Sequence, residues 1–312
     1  MKTTPVSPAD LAASVLSVPP LARRADLTID PAQNGRLLDH LRSGGVRTFM
    51  YGGNANLYNM GVSDLHALCD LLIGLARDGD WIIPSVGSDY GKAHDQLRVL
   101  RDYPFPTAMV LPHKAQSTPA GVATGVRKLA DAYGKPLIAY VKDEGYVEAA
   151  DMGRLAKDGA ICAIKYAIVR QDPSQDAFLG DLVDAVDRNI VISGIGERPA
   201  IDHLTKFGLK AFTSGSVCVA PGLSMSLLRA IKRGDMAEAQ RMRALFIPLE
   251  DQRDAHSPLR VLHDAVRLAG ICDTGPMFPY LSNFTDKAIL AGIEKAAKEL
   301  LAAERVATAK AA

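Results

Sequence analysis

Short apolar runs alternate with amphipathic stretches along the first two thirds of the chain, and this rhythm limits the available folds more than any other feature. The runs occupy 14–18, 46–51, 81–86, 107–111, 136–141, 160–165, 190–193 and 211–214. A short continuous apolar run is how a strand looks when helices cover both faces of a parallel sheet. Between the runs, apolar positions recur at helical spacing, as at Leu65, Leu68, Leu72 and Ile73, and helices are predicted at 63–76, 118–133, 147–157, 174–186 and 199–207. Pro31 opens another, with Asp30 as its N-cap. The repeat of roughly 25 to 30 residues is that of a βα unit. Eight units in one even rhythm, without a linker, predict an α/β fold of the closed TIM (β/α)8 type rather than an open doubly wound sheet. Pro84 lies inside the third run and weakens it as a strand.

After Ser214 the strands stop. Helices are expected at 221–233, 236–246, 258–268 and 285–303. The first completes the barrel and the others form a C-terminal helical extension, which divides the chain into 1–233 and 234–312. The small, polar tail 306–312 is expected to fray.

Charge excludes some functions. With 36 basic and 35 acidic residues the net charge is +1, so no electrostatic footprint for nucleic acid or an anionic membrane exists. Cys69, Cys162, Cys218 and Cys272 lie in apolar stretches without metal-ligand spacing, which argues against zinc and against a disulfide framework. No apolar stretch approaches membrane-spanning length and no signal-peptide layout opens the chain. A cytoplasmic protein without a metal or cofactor is the expectation.

The sixth run ends in Lys165. Lysine is rarely buried unless paired, and an apolar pocket favours its neutral amine, a nucleophile toward carbonyls. Barrel active sites lie at the C-terminal ends of the strands. Those ends are Gly53-Asn54-Ala55-Asn56, Gly87-Ser88, His113-Lys114, Tyr140, Lys165, Ser193-Gly194 and Thr213-Ser214-Gly215.

On Pro136-Leu-Ile-Ala-Tyr140 followed by Ala163-Ile-Lys165, the chain resembles the class I Schiff-base aldolases and dehydratases related to dihydrodipicolinate synthase and N-acetylneuraminate lyase. Val110-Leu-Pro112 and Ser193-Gly194 extend the match. The resemblance implies a homotetrameric or dimeric barrel enzyme that acts on a small 2-oxo acid without metal. It gives Lys165 the role of imine-forming nucleophile and Tyr140 that of proton donor and acceptor. Departures from the pattern are equally clear. The Gly-Thr-Thr-Gly-Glu loop reads Gly53-Asn54-Ala55-Asn56-Leu57, the tyrosines after the fourth strand are His113 and Lys114, and no arginine follows Tyr140 in 141–146. Lysine biosynthesis is therefore disfavoured, and the usual tyrosine–threonine–tyrosine relay is absent.

Around that pair, the turn at Gly53, Asn54 and Ala55 is expected to hold a carboxylate through its backbone amides. His113 and Lys114 are candidates for the distal end of the substrate or for a replacement relay, with Lys142 and Glu144 weaker ones. Ser193, Gly194 and Thr213 are expected to meet substrate hydroxyls. Arg241, Arg243, Arg253 and Arg260 are expected to be solvated or at subunit contacts. The functional expectation is an aldolase or dehydratase for a 2-oxo acid such as a 2-keto-3-deoxy sugar acid. The alternatives are a dehydratase or deaminase of a cyclic or hydroxylated oxo acid, and a degenerate oxo-acid-binding protein.

Overall fold

Each apolar run forms a strand, and every strand pairs in parallel with its neighbours. In the computed structural model, which describes residues 1–311, these are β1 (Leu16–Ser17), β2 (Thr48–Met50), β3 in two halves (Trp81–Ile83 and Ser85–Val86), β4 (Met109–Val110), β5 (Leu137–Val141), β6 (Ile161–Tyr166), β7 (Val191–Ser193) and β8 (Ala211–Ser214). Leu16 of β1 is in register with Thr48 of β2 on one side and Thr213 of β8 on the other. One half of β3 pairs with β2 and the other with β4, so the ring closes through the chain itself at Pro84. The proline lacks an N–H and drops one rung of the ladder, but its carbonyl still accepts from the Met109 N–H at 2.9 Å. The eight-stranded barrel read from the sequence is the fold observed.

Register decides what faces the barrel axis. Tyr140 lies opposite Lys165, Lys165 opposite Ile192, and Ile192 opposite Ala211. Tyr166 points outward, since its hydroxyl donates to Asp176 and its ring lies against Phe178 and His203. Side chains alternate along a strand, so Lys165, Tyr140 and Thr213 point inward.

The helices are α1 (Pro8–Ala13), α2 (Pro31–Ser43), α3 (Leu65–Leu75), α4 (Tyr90–Leu100), α5 (Pro119–Tyr133), α6 (Ala149–Lys157), α7 (Ala177–Ala185), α8 (Ala200–Thr205), α9 (Pro221–Arg233), α10 (Met236–Ala255), α11 (Pro258–Leu268) and α12 (Lys287–Ala311). Asp30 caps α2 as expected, accepting from the Ala32 and Gln33 N–H groups. The sequence reading passed over α1 and α4. In α4 the buried positions Ala93, Leu97 and Leu100 are diluted by Gln96, whose amide oxygen accepts from the Gly87 N–H at 2.7 Å. Two helices outrun their expected ends. α10 passes through Pro248 because Leu249 and Glu250 beyond it are buried, and packing offsets the hydrogen bond lost at the proline. α12 continues through the tail expected to fray, of which Ala312 lies outside the described residues. Glu304 ties that helix down: its carboxylate accepts from the Gly222 and Leu223 N–H groups at the start of α9, both at 2.8 Å.

At the N-terminal end of the barrel, Asp80 precedes β3 and is fully buried. Arg42, from the end of α2, donates to it through Nε at 3.1 Å and Nη2 at 2.7 Å, and the Arg77 N–H donates at 2.8 Å. Among the described residues no helix is long and apolar enough to cross a membrane, and no group of three or more His, Cys, Asp or Glu side chains forms a metal-binding cluster.

Candidate active site

Lys165 stands near the C-terminal end of β6, inside the ring and 5% exposed. Its ammonium group lies 4.3 Å from the centroid of the Tyr140 ring. No carboxylate among the described residues pairs with it. Burial, followed by the charges of Lys142 and Arg253, pulls the amine down to about 7. A large fraction is thus neutral near neutral pH, where an ordinary lysine is protonated. Burial, with help from Asp143 and against Arg253, pushes the Tyr140 phenol up to about 12, which keeps its proton in place. The pair thus sets a largely neutral amine beside a protonated phenol.

Backbone packing fixes the lysine stem. The Gly194 N–H donates to the Tyr166 carbonyl at 2.6 Å. A Cβ on Gly194 would lie 3.0 Å from Lys165 Cγ and 2.7 Å from the Tyr166 carbonyl oxygen, so only glycine lets the chain after β7 approach this closely.

Behind this loop lie two buried acids. Glu197 accepts from Ser214 Oγ at 2.8 Å and Ser224 Oγ at 2.6 Å, and its backbone N–H donates to Glu250 Oε1 at 2.8 Å. Burial raises the affinity of both carboxyls for a proton, and Glu197 pushes Glu250 further. Gly196 sits between them at φ +104°, where a Cβ would come within 2.3 Å of Glu250 Oε1. One turn beyond Glu250, Arg253 reaches the Ile195 carbonyl and Glu250 Oε1 through Nη1, both at 3.4 Å. Its side chain is 12% exposed, so of the two expectations, solvated or at a subunit contact, the first does not hold. The buried face of α10 beyond residue 246, where the helix is expected to end, turns it inward.

The other candidates divide. Gly53, Asn54 and Ala55 form one turn of 3-10 helix after β2, closed by Asn56 at φ 55°. The first amides of such a turn have no partner within it, and none of the described residues bonds them. Asn54 spends its side chain on the Val18 carbonyl, donating at 2.9 Å. Thr213 shares the inward face with Ala211. Ser193 does not: it is in register with outward Tyr166, and its hydroxyl lies 2.8 Å from His203 Nδ1. That orientation corrects the expectation that its side chain meets substrate hydroxyls. His113 and Lys114 are engaged by neighbouring loops. His113 lies between Ser88 Oγ and Gln116 Oε1, at 3.2 and 2.5 Å, on the wall of a cavity of about 600 Å³ that Tyr90 and Tyr146 also line. Lys114 is exposed and donates to the Gly145 carbonyl. Glu144 is paired with Arg170 at 2.5 Å, and Arg170 also holds Asp176, which straps the loop after β5 to the loop after β6. Arg241 pairs with Glu238 on an exposed face, as expected.

No protein-family model matches the chain, and no curated protein matches it. Solved structures do. Dihydrodipicolinate synthase from Oceanobacillus iheyensis aligns over 93% of this chain and 97% of its own, with a TM-score of 0.82 and 20% identity. YagE, a prophage protein of the dihydrodipicolinic acid synthase family from E. coli K12 in complex with pyruvate, aligns over 92% and 98%, with a TM-score of 0.78 and 18% identity. N-acetylneuraminate lyase from Mycoplasma synoviae aligns over 93% and 99%, with a TM-score of 0.77 and 13% identity. The resemblance first carried by Tyr140 and Lys165 thus extends to the whole architecture: the chain has the fold of dihydrodipicolinate synthase and N-acetylneuraminate lyase.

Proposed function

We propose that the chain is a Schiff-base-forming lyase acting on a 2-oxo acid. The observation that carries this reading is a buried lysine without a counter-ion, beside a protonated tyrosine on the adjacent strand. The neutral Lys165 amine adds to the C2 carbonyl, and the resulting carbinolamine loses water to give an imine. Tyr140 donates the proton that the departing hydroxyl needs, which leaves as water, and the resulting phenolate then takes up the proton that the imine intermediate releases. Protonated, the imine accepts electrons from the neighbouring carbon, which releases either a proton or a carbon fragment. Cleavage and dehydration both follow from that one intermediate. The free amides of Gly53, Asn54 and Ala55 receive the carboxylate next to the ketone, and Thr213 faces the same space. The barrel, 1–233, supplies these groups, and the helical extension, 234–312, adds Arg253 from outside. Ser193, His113 and Lys114 have no part in this reading. Fold kinship with structures that include a pyruvate complex supports the substrate class.

The test is chemical. The full chain is incubated with pyruvate and other 2-oxo acids, reduced with borohydride, and mapped by mass spectrometry. A reduced adduct on Lys165 is expected. An adduct elsewhere, or none with any acid, sinks the mechanism and leaves an oxo-acid-binding protein as the better reading. For acids that form the adduct, release of pyruvate distinguishes cleavage from dehydration.

A further inference from the structure

We infer that Arg253, with Lys142, selects 2-oxo acids that carry a second carboxylate at the end remote from the ketone. This rests on the imine chemistry proposed for Lys165 and names the kind of substrate that chemistry serves.

Arg253 is held incompletely. Both contacts of Nη1 are long, at 3.4 Å. Nε is buried without a hydrogen-bond partner, and Nη2 makes no hydrogen bond among the described residues. Buried guanidinium groups ordinarily fill their donors with carboxylates, most effectively two at a time. A buried charged group without partners is costly to maintain. The available donors are what a carboxylate would occupy.

The nearby acids serve this purpose only in part, through the long contact of Nη1 to Glu250 Oε1. Glu197 is engaged by two serine hydroxyls, and Glu250 accepts from the Glu197 backbone. Both are essentially excluded from solvent. Two carboxyls confined in one such site cannot both ionise, so they leave part of the arginine charge uncompensated. Its Nη1 reaches the Ile195 carbonyl, one residue beyond the Gly194 that packs on the Lys165 stem, which places the charge beside that stem rather than on the outer surface.

Lys142 adds a second cation. It follows Val141, the last residue of β5, at the C-terminal end of that strand. It is exposed, and no described acid pairs with it within ion-pair distance. Asp143 and Glu144 are the nearby acids on the same loop, and Glu144 is already taken by Arg170. The amides of Gly53, Asn54 and Ala55 follow β2, four strands around the ring from β6. A carboxylate held there is not the one Arg253 meets. Two separate anion-binding groups flanking one amine fit a substrate with two carboxylates.

The experiment compares acids of equal length that differ only in the terminal group: oxaloacetate, 2-oxoglutarate and 2-oxoadipate against 2-oxobutanoate, 2-oxopentanoate and 2-oxohexanoate. Borohydride trapping at Lys165 in the full chain is measured as a function of acid concentration. For at least one pair, the diacid is expected to half-saturate at a concentration lower by about tenfold or more, the scale of a charge-assisted bidentate contact. Arg253→Gln is expected to collapse that preference to about twofold, and Arg253→Lys to restore part of it. Equal half-saturation within every pair overturns the inference, and this arm uses the wild-type chain alone. So does a loss in Arg253→Gln that is the same for both members of a pair, because the arginine then serves the carboxylate they share. Trapping that fails with all six acids overturns the imine reading itself and this inference with it.

Discussion

At one end of the barrel Asp80 is fully buried and receives two donors from Arg42 and one from the Arg77 backbone, with Arg47 a further 3.6 Å away. At the other end Lys165 is nearly as buried, yet it faces an aromatic ring and two further cations. Burial is common to both, and the difference lies in the partners. A charge that finds opposite charge and hydrogen bonds in the interior remains a charge and fixes two elements to each other, here α2 to the start of β3. A charge that finds neither gives up its proton, and an amine without its proton is reactive. The satisfied charge lies at the N-terminal face and the unpaired amine at the C-terminal face, the face on which barrels of this kind carry their active sites.

The contrast can be broken from either side. Asp80→Ala leaves Arg42 buried without its partner and should cost about 3–5 kcal/mol in urea unfolding. Imine trapping should survive wherever the variant is still folded, and loss of trapping in folded protein would mean that the two ends are not independent. Tyr140→Phe keeps the ring beside Lys165 and removes only the hydroxyl. Turnover should fall by about 10²-fold or more with little change in melting temperature, as measured by steady-state assay and calorimetry. Lys165→Met should abolish adduct formation while raising stability by about 1–2 kcal/mol, because the interior no longer holds a polar amine without a counter-ion. A fall in stability would show the lysine to be satisfied after all. The smallest effect is expected for Glu250→Gln. Glu250 holds its proton more tightly folded than unfolded. Stability must therefore fall as pH rises from the ordinary carboxylate range, about 4.3, toward its raised value, and the decline ends above that. The amide mimics the protonated acid, so melting temperature should decline less steeply over this window in the variant.

Much of this arrangement is legible in the sequence. The strands are short apolar runs with helices between, and a lysine and a tyrosine at the ends of adjacent runs stand out because polar residues there interrupt the apolar pattern. Parity around the ring is not legible. Ser193 ends its run just as Lys165 nearly ends its own, but the register sets Lys165 opposite Ile192, and Ser193 turns outward to His203. Register is a relation between strands, and no single run contains it. Arg253 was hidden for a different reason. It lies beyond 246, where the helix is expected to end, and far along the chain from Lys165, and the packing of Leu249 and Glu250 carries the helix on to it. The small fourth helix was missed because one of its core positions is a glutamine.

The pairing of β1 with β8 has a consequence for the chain as it is made. Leu16 emerges early from the ribosome, and its partner Thr213 follows almost two hundred residues later. Throughout that interval every growing intermediate carries one unpaired strand edge at β1 and another at whichever strand was added last. Such edges are templates for association with other chains. A nascent chain arrested between the end of β2 and residue 214 is thus an open, adhesive sheet, and synthesis of one four-residue strand turns it into a ring with no edge to offer.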